Sequence, residues 1–303
     1  MLKKQKLVAV FLVFSLIMGI MPVSALAADT TGSFEATGGM AYYEIDDASQ
    51  TVTITGCDTT VTAIEIPNSL ENLPVTKIAE QAFYNNELNN PHDSLTSVKL
   101  PSTLTNIGKS AFYNCTNLSN VDLTACTELK TIGDEAFSGN SALTSVKFPA
   151  SLRYIGSYAF NNCGLTNVDL SGCTQLLSLG ESAFNCNKEL VAVKLPPNVE
   201  TISASAFWGC EKLADVNFTA CTSLKTIGES AFCWTGLTSV TLPSSVSSLG
   251  WGVFQQCFQL KDADLSACTG LTVIEDSMFR ECKALSSVKL PTSVTVINNE
   301  AFA

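Results

Sequence analysis

The sequence predicts a repeat solenoid, a stack of about ten short units built around parallel β-strands, on three observations. The dipeptide Ala-Phe, or a close variant, recurs along the chain with the phenylalanines 22 to 29 residues apart. An apolar triplet of the form L-x-x-V-x-L follows each of them except the last, and an apolar pair three residues apart follows the triplet. Periods of this length are typical of solenoids, whose units bury their apolar side chains by stacking on their neighbours.

The first 27 residues are predicted to be a cleavable signal peptide. Lys3, Lys4 and Lys6 precede an apolar stretch over 7–21, and the Ala-Leu-Ala sequence at 25–27 fits a cleavage site. The apolar stretch is short for a membrane span. The chain is therefore expected to be secreted or held at the cell surface, with no membrane span after cleavage.

Residues 28–60 are predicted to form a flexible leader followed by a β-hairpin cap. The segment 28–39 is rich in Gly and Thr, and the segments 42–45 and 51–54 have the pattern of two short strands joined by a turn. Such a hairpin would cover the N-terminal edge of the stack. The solenoid is assigned to residues 61–303, with an inserted loop at 85–93 that carries the single histidine, His92.

Three elements are expected in each repeat. The triplet forms a strand of a parallel sheet on one face, and the apolar pair forms a second short strand or turn. The Ala-Phe segment forms a short helical turn with its phenylalanine pointing inward. Ten residues, which we call the phenylalanine column, are then expected to stack: Phe83, Phe112, Phe137, Phe160, Phe184, Phe207, Phe232, Phe254, Phe279 and Phe302.

Two types of repeat alternate. In one the strand is followed by proline, as at Pro101, and in the other a cysteine stands three positions after the last apolar residue, as at Cys126. The run L-P-S-T-L-T-N-I-G-K-S-A-F-Y-N-C over 100–115 resembles the BspA type of leucine-rich repeat, and the resemblance covers residues 61–303. It implies a leucine-rich-repeat-like fold and an exported protein of a kind linked to adhesion to host proteins or other cells.

The twelve cysteines leave buried free thiols, disulfides and a metal site open as alternatives. Regular members of one column lie two repeats apart, about 9–10 Å, which is too far for a disulfide, although bonds between columns fit. The regular positions favour buried free thiols, and the lack of a C-x-x-C motif weakens a metal site, so none is predicted. The two columns are Cys126, Cys173, Cys221 and Cys268, and Cys115, Cys163, Cys210, Cys257 and Cys282.

The outward residues of the predicted strands form a row of charges, in which the sign alternates from Glu65 to Lys194. Neighbours in this row are expected about 4.8 Å apart. One interpretation is a ladder that fixes the register and keeps the face soluble, and the other is a binding surface. We call these residues the charge row: Glu65, Lys99, Asp122, Lys147, Asp169, Lys194, Asn217, Thr241, Asp264 and Lys289.

The binding candidates combine part of the charge row with two aromatic residues. The rings of Trp208 and Trp234 either pack between turns or form an exposed patch that contacts a partner. The candidates are Lys99, Asp122, Lys147, Asp169, Lys194, Asn217, Thr241, Trp208 and Trp234.

The composition argues against several classes of function. One histidine leaves little scope for histidine-based catalysis, no glycine-rich phosphate loop is present, and a net charge of −11 argues against nucleic acid. We predict a non-enzymatic protein, without a cofactor, that binds extracellular or cell-surface proteins, with a structural spacer in a larger surface protein as the alternative. Because the repeats stop at Phe302 in mid-unit, end-to-end self-association through this edge is also expected.

Overall fold

The computed structural model describes residues 30–85 and 94–303. The predicted signal peptide at 1–27 and most of the predicted inserted loop, including His92, lie outside these residues. Residues from Thr31 to Ala303 form one compact unit. This unit is a solenoid of parallel β-strands, as the repeat predicts. No helix capable of crossing a membrane occurs in the two described ranges.

The N-terminal cap is an antiparallel meander of three strands: β1 (Thr31–Ala36), β2 (Gly39–Asp46) and β3 (Thr51–Cys57). The predicted hairpin corresponds to β2 and β3, whereas residues expected to be a flexible leader form β1. Strand β3 pairs in parallel with β6 (Leu73–Ile78), which also forms a short hairpin with β5 (Ser69–Leu70). The cap therefore continues one sheet of the solenoid and pairs its backbone groups.

The solenoid has two sets of strands. The apolar pairs form two-residue strands in register with β6: β8 (Asn106–Ile107), β10 (Thr131–Ile132), β12 (Tyr154–Ile155), β14 (Ser178–Leu179), β16 (Thr201–Ile202), β18 (Thr226–Ile227) and β20 (Ser248–Leu249), then β22 (Val273–Ile274) with β24 (Val296–Ile297). The triplets form three-residue strands: β4 (Ala63–Glu65), β7 (Ser97–Lys99), β9 (Asn120–Asp122), β11 (Ser145–Lys147), β13 (Asn167–Asp169), β15 (Ala192–Lys194), β17 (Asp215–Asn217), β19 (Ser239–Thr241), β21 (Asp262–Asp264) and β23 (Ser287–Lys289).

The three-residue strands do not form one continuous sheet. Their ladder is interrupted between β11 and β13 and again between β17 and β19. Both interruptions follow a segment that is one residue shorter than its counterparts and contains Gly164 or Gly236. A Cβ atom at these glycines would lie 2.4 Å from the Ser141 carbonyl oxygen and 2.5 Å from the Glu211 carbonyl oxygen. The shortened connections thus bring backbones so close that only glycine fits.

The segment around each column phenylalanine, from three residues before it to three after, is a series of turns that we call the Phe turn. The helical turn expected here is not confirmed, because no helix occurs among the described residues. Ser110 and Asn114, two residues before and after Phe112, have φ of 51° and 57°, whereas an α-helix needs negative φ throughout. Alternate N–H groups donate to the next repeat instead, as from Phe112 to the Ala136 carbonyl at 2.8 Å.

The core is a continuous stack along the solenoid axis. Successive rings of the phenylalanine column lie 4.8–6.0 Å apart, within 15° of parallel. All are fully or almost fully buried except Phe302, in the last repeat. The inward-pointing phenylalanines predicted from the spacing are therefore confirmed, and each repeat depends on its neighbours for burial.

Candidate binding surfaces

The charge row lies on the outer face of the three-residue strands, where its side chains pair two by two. Lys147 approaches Asp122 at 2.8 Å, and Lys194 approaches Asp169 at the same distance. Glu65 with Lys99, and Asp264 with Lys289, form equivalent pairs. No pair in the described part of the row joins Lys147 to Asp169, because the ladder is interrupted between their strands.

Each aspartate of the row has a second role within its own turn. One carboxylate oxygen of Asp122 accepts hydrogen bonds from the Thr124 hydroxyl at 2.6 Å and the Thr124 N–H at 3.0 Å. The Lys147 ammonium and these two groups lower the pKa of Asp122 to about 2. Asn217 makes the same turn contacts to Thr219 without a charge. The turn therefore explains why only Asp or Asn occupies this position in the cysteine-type repeats.

This geometry favours a structural role for the charge row. Its lysines and aspartates are largely neutralised by each other, and exposed ion pairs of this kind contribute little individually. Asn217 and Thr241, two of the binding candidates, lie on opposite sides of an interruption in the ladder. The other members of the row meet as ion pairs between neighbouring strands.

Two substitutions of Asp122 separate the stability contributed by its ion pair from the stability contributed by its turn hydrogen bonds. Asp122→Asn keeps the turn and loses the ion pair, so the free energy of unfolding should fall by about 0.2–1 kcal/mol. Asp122→Ala also loses the two turn hydrogen bonds and should cost about 1–2 kcal/mol at neutral pH. Urea denaturation of both variants measures the difference, and equal losses would contradict a role for the turn.

The pH dependence of the ion pair has a definite sign. Because the pKa of Asp122 is lowered to about 2 by folding, its carboxylate stabilises the folded state above the ordinary carboxyl pKa of about 4. This contribution is lost as the pH falls from about 4 through 2. The stability difference between the wild type and Asp122→Asn should therefore be constant near neutrality and disappear at about pH 2, and a difference that persists there would exclude the charge as its cause.

Trp208 and Trp234 meet on the Phe turns of two successive repeats. Their rings are edge-to-face, with centroids 5.6 Å apart. The exposed fraction of Trp234 is 38%. The rings therefore pack against each other, as the first interpretation of the sequence predicts. They also present aromatic surface to solvent, as the second interpretation predicts.

The backbone at Trp234 is unusual for a bulky residue. Its φ is 58°, in the left-handed region that favours glycine and asparagine. The equivalent residue, two positions after the column phenylalanine, also has a positive φ in the other repeats from Phe112 to Phe279, at Asn114, Gly139, Asn162, Cys186, Gly209, Gln256 and Glu281. A tryptophan here costs about 1 kcal/mol relative to glycine or asparagine. The turn itself therefore does not require tryptophan at this position.

Three further aromatic residues, for which the sequence leaves the same two interpretations open, are also exposed. Trp251 is 46% exposed, and Tyr154 and Tyr158 are 43% and 40% exposed. Tyr158, two residues before Phe160, has a φ of 57°, also in the left-handed region.

All twelve cysteines are free thiols, and all but Cys186 are buried. Burial raises the pKa of Cys126 to about 11 and that of Cys163 to about 12, so these thiols remain protonated at neutral pH. Several donate to backbone carbonyls of other repeats, as Cys173 does to Pro149 at 3.5 Å. Within 30–85 and 94–303, no group of His, Cys, Asp and Glu is arranged to hold a metal ion.

The sequence and the structure were compared with known proteins. The family model described as "BspA type Leucine rich repeat region" matches residues 55–185, 124–224 and 217–303, in six copies. A leucine-rich repeat protein from Bacteroides ovatus is 26% identical, with 87% of this chain and 78% of that chain covered and a TM-score of 0.57. A leucine-rich cell surface protein from Faecalibacterium prausnitzii is 23% identical, with coverages of 90% and 86% and a TM-score of 0.35. A search of curated proteins gave no match.

Proposed function

Because this chain belongs to the BspA-type leucine-rich repeat family, a family of recognition proteins, we propose that it is an exported, non-enzymatic protein that adheres to extracellular or cell-surface proteins. Proteins with this repeat are typically surface-associated, which agrees with the signal peptide predicted at residues 1–27. The rigid stack presents long faces to a partner, and recognition on such a face requires no catalytic group.

The contact surface that we propose is centred on Trp208 and Trp234. The observation that carries this choice is that Trp234 is 38% exposed and packs edge-to-face on Trp208, at a left-handed turn position where no other described repeat has an aromatic residue. Tryptophan and tyrosine are enriched among residues that dominate binding energy, whereas exposed ion pairs at a rim contribute little. The charge row is the weaker candidate because its charges already have partners within the chain.

The variant Trp234→Asn tests this surface without disturbing the turn. Asparagine occupies the equivalent position at Asn114 and Asn162, so the variant should be at least as stable as the wild type. A panel of matrix glycoproteins, mucin and intact cells first identifies a saturable partner. We expect Trp234→Asn and Trp208→Ala each to weaken that binding about 30-fold, the effect of a residue at the centre of an interface.

Two control variants distinguish the surfaces. Trp251→Ala removes a comparably exposed tryptophan outside the Trp208–Trp234 contact. A combined replacement of Lys99, Lys147 and Lys194 by alanine removes three of the four lysines of the charge row. Both should leave binding within about threefold of the wild type. Binding that is lost in the lysine variant and kept in both tryptophan variants would assign the site to the charge row. No saturable binding to any member of the panel would favour the structural spacer.

End-to-end self-association stays a prediction. In the last repeat described, the Phe302 ring stacks on Phe279 at 5.5 Å and is 46% exposed.

A further inference from the structure

The third residue after each column phenylalanine occupies a common position that we call the carbonyl slot. At six of the eight described positions the side chain donates to the backbone carbonyl of the column phenylalanine in the preceding repeat. Thr235 donates to the Phe232 carbonyl of its own repeat, and the buried Asn140 amide has no hydrogen-bond partner. Cys163 donates to Phe137 at 3.1 Å, and Asn187 donates to Phe160 at 2.8 Å. The slot residues in order are Cys115, Asn140, Cys163, Asn187, Cys210, Thr235, Cys257 and Cys282.

Cysteine alternates with Asn or Thr along the carbonyl slot until the last two members. Cys257 and Cys282 therefore lie in successive repeats, unlike every other pair of slot cysteines. The centroids of the Phe254 and Phe279 rings, which belong to the same two turns as these cysteines, are 5.6 Å apart. The Gln256 N–H donates to the Arg280 carbonyl at 2.8 Å, which holds the two turns side by side. Disulfides most often join Cα atoms about 5.5–6 Å apart, so this spacing fits a covalent bond.

The two thiols lie on neighbouring turns in the same orientation. Cys257 donates to the Phe232 carbonyl at 3.1 Å and Cys282 donates to the Phe254 carbonyl at 3.0 Å, so both side chains point the same way. Bonded cysteines have Cβ atoms about 3.8 Å apart, so a disulfide would draw the last two turns closer together.

One of the two thiols is reachable from solvent. Cys282 is 8% exposed and lines a cavity of about 530 Å³ at the end of the stack, together with Phe279, Lys283 and Phe302. Cys257 lies behind it and is fully buried. Burial raises the pKa of the Cys257 thiol. Cys282 is thus the member of the pair that a reagent reaches first.

We propose that Cys257 and Cys282 form an intramolecular disulfide by exchange with a low-molecular-weight disulfide. The Cys282 thiolate attacks one sulfur of the reagent, forming a mixed disulfide and releasing one thiolate. Cys257 then loses its proton and attacks the Cys282 sulfur, which releases the second thiolate. Two protein thiols are oxidised and one reagent disulfide is reduced to two thiols. The bond joins two successive repeats near the exposed end of the stack.

Peptide mapping of the intact protein tests this proposal. The protein is incubated with oxidised glutathione, alkylated at its remaining thiols and digested with trypsin without reduction. Cleavage after Lys225, Lys261, Arg280 and Lys283 separates the peptide 226–261, which contains Cys233 and Cys257, from the peptide 281–283, which contains Cys282. We expect these two peptides to be cross-linked, and the cross-link to be reversed by dithiothreitol.

Two variants and one internal control locate the bond. The cross-link should be lost in Cys257→Ser and kept in Cys233→Ser, while Cys163, whose slot neighbours are Asn140 and Asn187, should stay alkylatable. Fragmentation of the wild-type cross-linked peptide also distinguishes Cys257 from Cys233, so the test does not depend on the folding of a variant. A glutathione adduct at Cys282 without a cross-link, or a cross-link to Cys233, would overturn the proposal.

Discussion

Replacement of Phe207 by alanine is expected to lower the free energy of unfolding by about 3–5 kcal/mol. Phe207 is fully buried in the middle of the phenylalanine column, where its ring stacks on Phe184 at 5.6 Å and on Phe232 at 5.3 Å. The substitution removes the apolar area of one ring, leaves a cavity and ends both stacking contacts. Because neighbouring repeats bury each other, this loss also weakens the repeats on each side.

Chemical denaturation followed by circular dichroism measures this effect, and Phe258→Ala is the matched control. Phe258 is only half-buried and lies outside the phenylalanine column. Its substitution should cost less than about 1.5 kcal/mol, since much of the ring already contacts water. Similar losses in the two variants would mean that the column is not the main source of stability.

Replacement of Asn187 by alanine is expected to cost about 1–3 kcal/mol, although the side chain is polar. Asn187 is fully buried in the carbonyl slot, where its amide donates at 2.8 Å to both the Phe160 and the Phe184 carbonyls. Cys210 also donates to the Phe184 carbonyl, at 3.2 Å. Alanine therefore leaves the buried Phe160 carbonyl without this donor. The folded state then bears the free-energy cost of removing that carbonyl from water, with no hydrogen bond to offset it.

The variant Asn187→Cys is the control that the chain itself offers, because cysteine occupies the same slot in the adjacent repeats. In reducing buffer, its thiol should restore the bond to Phe160, as Cys163 bonds to Phe137 at 3.1 Å. The midpoint of urea denaturation should then lie between those of the wild type and Asn187→Ala. If the cysteine variant were no more stable than the alanine variant, hydrogen bonding to the carbonyl would not explain the slot.

The periodic features of the fold were predictable because each is repeated in the sequence. The phenylalanine column, the two sets of strands and the regular cysteine columns all follow from spacing, since equivalent positions in a stack contact each other. The hairpin of the cap followed from its strand-turn-strand pattern. The helical conformation expected for the Phe turn was not confirmed. A short apolar segment with alanine has the composition of a helix, but alternate N–H groups of the Phe turn donate to another repeat.

The candidate sites were less predictable than the fold. The sequence indicated the charge row, and four ion pairs between strands confirm that its members are neighbours. It did not indicate that Asp122 also accepts turn hydrogen bonds, or that shortened segments at Gly164 and Gly236 interrupt the ladder. The interruptions depend on the exact length of single connections, and the average period of the repeat does not show that length.

The amino-acid sequence by itself determined the repeat, the inward face of each strand and the family, because all three depend on the order of apolar residues along the chain. The tertiary structure alone decided the backbone conformation at Trp234 and which cysteines are neighbours. The left-handed φ of Trp234 is known only from the structure, and Cys257 and Cys282 become neighbours only when their repeats are stacked. Contacts between repeats impose both arrangements, and no single repeat encodes them.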